Sequence, residues 1–230
     1  MGANLEHSAA RAIPGAAGRI FRSPARAFVF IFLLAFAVRV TLLVSWANTH
    51  ENFYRLGGEM GRVALSLLRT GQFADPYMIP TGPTAHPTPL WPALLALIYH
   101  AFGITATAGY VRALVAISSY SALFALLPWF ARRLGLGART GILAGVAGAL
   151  IPQPMYEIVG FGFSAPAAIA LGLVAVAFLH RCTTDRPSAA GSLLLGIGCG
   201  AAFHLAPPLL LVVLGSCLLY TSPSPRDRTR

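Results

Sequence analysis

The side chains best suited to chemistry in this sequence lie between residues 57 and 92. An acid, Glu59, follows Gly57 and Gly58, and a histidine, His86, sits further on in a proline-rich stretch. A carboxylate can act as a general base toward a hydroxyl, and a histidine can shuttle a proton or contact a phosphate near neutral pH. Each also has an ordinary explanation, because an acid in a first helical turn complements the helix macrodipole and a loop histidine needs only water.

Further charged residues of this region suit an anionic substrate. Arg55 and Arg62 flank Glu59, and Asp75 precedes the prolines. Transfer of a group from a phosphate needs a base for the acceptor proton and cations for the departing phosphate, whose oxygens arginine matches in bidentate fashion. Glu59 could supply that base, although its first-turn position alone favours the helix-dipole role; its choice as the candidate catalytic residue rests on the family resemblance described below. The candidate substrate-binding residues are Arg55, Arg62, Asp75 and His86.

The composition of the chain predicts the environment of these residues. The chain has 230 residues, of which 56% are hydrophobic and 10% charged, and its mean hydropathy is +0.68. This is too apolar for a soluble domain of that length, so the sequence predicts a membrane protein. The formal charge of +10 comes from arginines at the edges of apolar segments, where they act as topology signals. We expect the lipid bilayer as a partner and no nucleic acid.

Glu59 opens a predicted interfacial helix. Between Gly57 and Gly71 the apolar residues keep the spacing of one helical face. They are Met60, Val63, Ala64, Leu67 and Leu68. The stretch is too short to span a bilayer, so we expect it to lie along the outer surface. The prolines of residues 73 to 92 deny that stretch regular pairing and make it a semi-rigid flap over the site.

Six hydrophobic segments are candidates for membrane spans. They are residues 27–48, 90–103, 110–135, 141–160, 163–181 and 191–216. We predict an all-α, polytopic transmembrane helix bundle of five or six spans, with an interfacial helix in the first outer loop, residues 49–89. Residues 1–26, with four arginines and one acid, are a basic tail that the positive-inside rule places in the cytoplasm.

Segment 90–103 decides between five and six spans. If this short segment crosses, alternation places the arginines of 132–139 and 181–186 outside, against the positive-inside rule. If it is re-entrant or interfacial, both groups fall inside and five spans remain. The arginine count favours five spans, whereas the family resemblance described below favours six.

Arg39 lies in the middle of the first apolar segment. An arginine there costs about 2.5–3.5 kcal/mol on insertion scales, so it should face a protein interior or a wet cavity rather than lipid. We expect a structural buried charge, with Glu157, near the end of segment 141–160, as its partner.

Other site chemistries have no signal. The sequence has no Walker motif, no HExxH and no nucleophile elbow, and Cys182, Cys199 and Cys217 lack metal-ligand spacing. No metal site or bound cofactor is predicted. Residues 217–230, rich in Ser, Pro and Arg, form a non-native or disordered tail, because CLLYTSPSPRD resembles translated sequencing-adapter read-through. We expect an amino-terminal fragment in which residues 27–216 form the transmembrane module.

Residues 58–103 carry a family resemblance. The stretches GEMGRVALSLLRTGQFADPY and PTGPTAHPTPLWPALLALIYHAFG resemble the first-loop region of glycosyltransferase-39-like proteins, bacterial GT-C membrane proteins grouped with protein O-mannosyltransferases. The resemblance covers roughly residues 27–215. It implies a multi-pass protein of the bacterial plasma membrane that moves a sugar from a polyprenyl-phosphate donor, its co-substrate, to an extracytoplasmic acceptor.

The motif is imperfect at the site itself. The family usually shows D-E-x-x-Y-A where this chain has Glu59 and Val63, and its lysine before a proline is Thr88 here. A transporter or lipid flippase is the alternative; it would depend on Arg39 and Glu157 and be indifferent to Glu59.

Overall fold

A computed structural model describes residues 23–50, 58–153, 164–183 and 189–209. Within these ranges the chain forms seven α-helices, one short 3-10 turn and no β-strand, which confirms the all-α prediction for this part of the chain. The helices are α1 (Pro24–Thr49), α2 (Gly58–Thr70), α3 (Leu90–Phe102), α4 (Ala106–Arg133), α5 (Ala138–Leu150), α6 (Ser164–Thr183) and α7 (Ala189–Leu205), and the turn is Pro207–Leu209.

Two of these helices, α1 and α4, are long and apolar enough to cross a membrane by length and composition. They have 26 and 28 residues, so each is about 40 Å long at 1.5 Å per residue. Large apolar side chains of α1, among them Val29, Leu33 and Val44, remain exposed on the protein surface. Such a surface suits lipid better than water. The structure thus agrees with a membrane setting through these two helices.

α1 and α4 pack antiparallel. The Phe28 ring lies 6.1 Å from the Trp129 ring, and the Arg39 guanidinium lies 4.9 Å from the Phe124 ring centre. Leu43 belongs to a cluster with residues of the first half of α4: Ala108, Ala113, Ala116 and Ile117. Residues nearer the end of α1 therefore contact residues nearer the start of α4. We call the two ends of the assembly the Pro24 end and the Thr49 end; α4 starts at the Thr49 end and finishes at the Pro24 end.

Glycines bring α5 close to this pair. A Cβ added to Gly141 would lie 2.6 Å from the Cα of Pro128, and one added to Gly145 would lie 2.8 Å from Ile31. Backbones can approach this closely only where side chains are absent. α5 has 13 residues and ends at Leu150, short of the predicted segment, because Pro152 disfavours a helical conformation in the residue before it.

The last two helices continue the alternation. α6 runs parallel to α4, since Gly172 lies beside Leu123 and Ala175 clusters with Leu126. α7 ends at the Thr49 end, where the carbonyl of Leu205 accepts a bond from the Thr88 hydroxyl just before α3. α7 stops before Pro207 and is therefore shorter than the predicted segment 191–216.

α2 and α3 pack on each other at the Thr49 end. Met60 and Ala64 of α2 share a core cluster with Leu43 of α1 and with Trp91 of α3. The predicted α2 stripe is largely confirmed: Met60, Val63 and Ala64 are buried, Leu67 packs against the core, and Leu68 is exposed. α3 has 13 residues, about 20 Å, which is too short to cross a bilayer.

A tight connection joins α3 to α4. Gly103 ends α3 in the left-handed region with φ of 67°, and the hydroxyl of Thr105 accepts from the Ala108 amide at the start of α4. α4 therefore begins directly beside the end of α3.

Candidate functional site

The structure brings together Glu59 and His86, the acid and the histidine that the sequence singled out. Nε2 of His86 lies 2.9 Å from Oε2 of Glu59. Glu59 is the second residue of α2, whereas His86 lies in the proline-rich stretch that leads into α3. The contact therefore ties the proline-rich stretch to the start of α2.

The Glu59 carboxylate is shielded from solvent, but its Oε2 atom has no aligned hydrogen-bond donor among the described residues. Its side chain is 27% exposed, against 57% for His86, and Oε2 itself is inaccessible to solvent. The His86 contact is an ion pair by distance but lacks the alignment of a hydrogen bond. Within the part of the chain that the structure describes, Oε2 has no hydrogen-bond donor. The approach of the His86 imidazole to 2.9 Å gives this shielded oxygen a charge partner, so the missing alignment is not by itself evidence of chemistry.

Gly58 sets the position of Glu59 at the start of α2. Its φ is +58°, in the left-handed region that favours glycine. The chain therefore enters the helix through a conformation that most residues would adopt only with strain. An acid in the first helical turn is also stabilised by the macrodipole, so the ordinary role of Glu59 persists beside the chemical one.

A small hairpin, residues 73–84, supports His86. Ala74 and Pro83 form an isolated antiparallel bridge, and the amide of Asp75 donates to the carbonyl of Gly82. The amide of Thr84 donates to the carbonyl of Phe73. The prediction that the prolines deny this stretch regular pairing is thus wrong for the hairpin, because its backbone bonds fall between the prolines.

Asp75 holds the hairpin shut. Its Oδ1 accepts from the amides of Thr81 at 2.8 Å and Gly82 at 2.9 Å, and its own φ is +55°, which aspartate tolerates better than most residues. The structure therefore gives Asp75 a structural task, and a substrate contact for it stays a prediction. Tyr77 follows in the hairpin, and its ring lies 6.2 Å from the His86 ring.

Arg62 lies one helical turn after Glu59 in α2. Its guanidinium contacts Sδ of Met78 in the hairpin, which places a cation beside the flap. Arg55 and Glu157 fall outside the described residues, so their predicted roles stay predictions. In the described residues no group of three or more His, Cys, Asp or Glu side chains is arranged to hold a metal ion.

Arg39 is fully buried and bound to α5, far along the chain. Its Nη1 donates to the carbonyls of Ala35 and Ala149, its Nη2 to the carbonyl of Gly148, and its Nε to the side-chain oxygen of Gln153, each at 3.1 Å. These bonds occupy four of the five guanidinium N–H groups. The described partners of Arg39 are thus carbonyl and amide oxygens.

Arg112 was not among the predicted site residues, yet it is 2% exposed. Its Nη1 donates to Oη of Tyr99 at 3.2 Å, within the core cluster shared by α1, α2, α3 and α4. In the sequence it stands near the start of an apolar segment and therefore looks like a topology signal. The signal that could have identified its buried position is Tyr99 in the preceding helix, whose hydroxyl can accept a hydrogen bond from the guanidinium.

Comparisons of this chain with protein-family models, with characterised proteins and with solved structures find no match.

Proposed function

We propose that the protein is a membrane glycosyltransferase that moves a sugar from a polyprenyl-phosphate donor to an extracytoplasmic acceptor, with Glu59 as its general base. The observation that carries this proposal is the approach of His86 to Glu59 at 2.9 Å. It unites the two groups that sequence reasoning selected for proton transfer and phosphate contact.

The reaction assigns each group a step. The Glu59 carboxylate takes the proton of an acceptor hydroxyl, whose oxygen forms a bond to the anomeric carbon of the sugar. The bond from that carbon to the phosphate oxygen breaks, and its electron pair leaves with the polyprenyl phosphate. Arg62 and a protonated His86 stabilise the phosphate charge, and Arg55 is a further candidate for that task. Oε2 is shielded beside His86, but the Glu59 side chain as a whole is 27% exposed, so the exposed part of the carboxylate can meet the proton of an acceptor hydroxyl.

The location of the pair also suits a lipid-linked donor. α2 and α3 cover the Thr49 end of the assembly, where Leu43 and Met60 share one cluster. A lipid headgroup and a water-soluble acceptor meet at such a surface. We place this end outside the cytoplasm of a bacterial plasma membrane, since the basic residues 1–26 precede the opposite end.

The course of the helices supports the five-span alternative. The support comes from helix direction and not from length, since α5 is as short as α3. α1 ends at the Thr49 end, and α4 runs back from there to the Pro24 end. Arg132, Arg133 and Arg139 then lie at the Pro24 end, as does the end of α6. Every one of these groups obeys the positive-inside rule, whereas six spans would break it.

A transporter or flippase would need Arg39 for its cargo. Four of its five N–H groups already bind the α5 end, Gln153 and its own helix. This leaves little capacity for a transported anion, so the transporter hypothesis has less support than glycosyl transfer.

The test is transfer of radiolabelled sugar from polyprenyl-phosphate hexoses and pentoses in membranes that contain the protein. Glu59→Gln should slow transfer by about 10²–10⁴-fold, the range for removal of a general base. Glu51→Gln, the same change at the other glutamate of the outer loop, is the matched control and should retain the rate. Undiminished transfer by Glu59→Gln would overturn the assignment, and an equal loss in both variants would show that only loop charge matters.

A further inference from the structure

An uncharged apolar tip projects from the hairpin beside the site. Residues 76–83 read PYMIPTGP and include no charged side chain. Met78 is 81% exposed, Ile79 is 68% exposed and Tyr77 is 46% exposed. Turns in water favour Gly, Asn, Asp and Ser, so three consecutive large apolar side chains indicate a surface that meets something other than water. We call Tyr77, Met78 and Ile79 the hairpin tip.

Five of the eight residues from 76 to 83 leave no free backbone donor. Pro76, Pro80 and Pro83 have no N–H group. The amides of Thr81 and Gly82 both donate to the Asp75 carboxylate. The amides of the hairpin tip itself make no backbone bond within the hairpin, and unpaired donors are costly wherever water is scarce. Burial must therefore stay within the headgroup layer, where water and lipid phosphate oxygens can accept from these amides.

The hairpin tip lies beside α2 at the Thr49 end of the assembly. Met60 of α2 packs in one cluster with Leu43, which is less than two helical turns before the end of α1 at Thr49. Arg62, on the same short helix but off its buried stripe, contacts Met78. The hairpin tip therefore extends from the end of the assembly at which a membrane surface would meet α1.

We propose that the hairpin tip inserts into the lipid leaflet at the Thr49 end, with the Arg62 guanidinium at the level of the lipid phosphates. Interfacial elements bury their apolar faces roughly 5–10 Å into the boundary between headgroups and acyl chains. The partner is a phospholipid surface, because apolar side chains beside a cation match acyl chains beside phosphate. Insertion would anchor the hairpin that carries Tyr77 against His86. The inference does not require the glycosyl-transfer reaction.

Spin-label accessibility tests the depth directly. In a variant with Cys182, Cys199 and Cys217 replaced by alanine, single cysteines at Met78, Ile79 and Gln72 receive a nitroxide label. The full chain is placed in vesicles of equal phosphatidylcholine and phosphatidylglycerol. Collision with oxygen, which partitions into lipid, is compared with collision with a water-soluble nickel chelate. Gln72 is the matched control, because it is exposed just before the hairpin and carries a polar side chain.

The expected result is an oxygen-to-nickel collision ratio several-fold higher at positions 78 and 79 than at position 72. Equal ratios at the three positions would mean that the hairpin tip faces water and would overturn the proposal. Low collision with both reagents at 78 and 79 would mean that a protein covers it, which overturns the proposal equally. Labels at two adjacent positions guard against distortion by either one.

Lipid composition tests the role of Arg62. The ratio at position 79 should rise when phosphatidylglycerol is added to neutral vesicles, and Arg62→Gln should abolish that rise. Arg69→Gln, at the opposite end of α2, should leave the rise intact. A rise that survives Arg62→Gln would overturn the assignment of Arg62 to the lipid phosphates.

Discussion

Nη2 of Arg39 donates to the carbonyl oxygen of Gly148 at 3.1 Å, and Nη1 donates to the next carbonyl, that of Ala149, at the same distance. The last carbonyls of an α-helix have no partner within their own helix. Arg39 thus caps α5, and its positive charge faces the negative end of the α5 dipole. The Arg39 charge is costly to bury in an apolar segment. That cost is offset here because the last carbonyls of α5 need hydrogen-bond donors and the guanidinium supplies them.

Replacement of Arg39 by methionine should therefore destabilise the fold. The change leaves at least one buried carbonyl unpaired, so the free energy of unfolding should fall by about 1–3 kcal/mol or more. Arg39→Lys should lie between, since an ammonium cannot span the same acceptors. Thermal unfolding in detergent measures both. Arg69→Met, at an exposed end of α2, is the control and should stay within about 0.5 kcal/mol; an equal effect of both methionine variants would contradict the capping role.

Two glycines should respond oppositely to alanine. In Gly141→Ala the new methyl group would meet the backbone of Pro128, which cannot move aside, so we expect a loss of about 1–3 kcal/mol. At Gly196, in α7, no described atom lies within 4 Å of an added Cβ, so Gly196→Ala should gain about 0.5–1 kcal/mol from helix propensity. Unfolding midpoints that shift in the same direction would refute the close contact of α5 with α4.

The Glu59 and His86 pair should behave as one unit in catalysis. We expect His86→Gln to slow transfer, and the double variant Glu59→Gln with His86→Gln to be no slower than Glu59→Gln alone. The stability effect should remain below about 1 kcal/mol, because the His86 side chain is 57% exposed. Steady-state kcat/KM values for the four proteins give the coupling. Fully multiplicative losses would show that the two residues act independently.

Two substitutions at Asp75 distinguish a structural role of this residue from a role that depends on its charge. Asp75→Asn keeps an oxygen for the amides of Thr81 and Gly82 and tolerates the left-handed backbone, so stability and transfer should be nearly unchanged. Asp75→Ala removes both bonds and should cost about 1–2 kcal/mol, seen as faster proteolysis of the hairpin. Loss of transfer in the stable Asn variant would instead establish a substrate contact through the carboxylate charge.

The orientation of α4 predicts the side on which its end emerges. A single cysteine at Leu136, in the turn between α4 and α5, should resist a membrane-impermeant maleimide in intact cells and react after permeabilisation. A single cysteine at Gln72, in the outer loop, should react at once. Prompt labelling of both would support six spans and contradict the non-spanning α3.

The sequence supplied the candidates of the site but not their contacts. Glu59 stood out because it opens an amphipathic stretch, and the predicted α2 stripe matches the buried side of the helix. The approach of His86 depends on the closure of the hairpin by Asp75 and on the packing of α3 against α2. Such relations join residues that lie far apart in the chain, so no local pattern records them.

Arg39 shows the same limit for buried charge. The insertion cost predicts an interior position, and the structure places the side chain there with 0% exposure. The predicted partner was the acid Glu157, which lies outside the described residues, whereas the observed acceptors include the main-chain carbonyls of Gly148 and Ala149. Every residue has a main-chain carbonyl, but within a helix only the last carbonyls lack an intrahelical hydrogen-bond donor. The sequence marks the end of α5 only weakly, through Pro152.

The antiparallel course of α1 and α4 has a consequence for how the chain is put together. α1 finishes and α4 begins at the same end, so the chain between them returns to the end that it left. It behaves as an insert between two antiparallel helices. Lengthening or shortening its exposed loops would leave the direction of every later helix unchanged, whereas its buried residues, such as Trp91, share one core with Leu43 of α1 and Ala113 of α4 and must be kept.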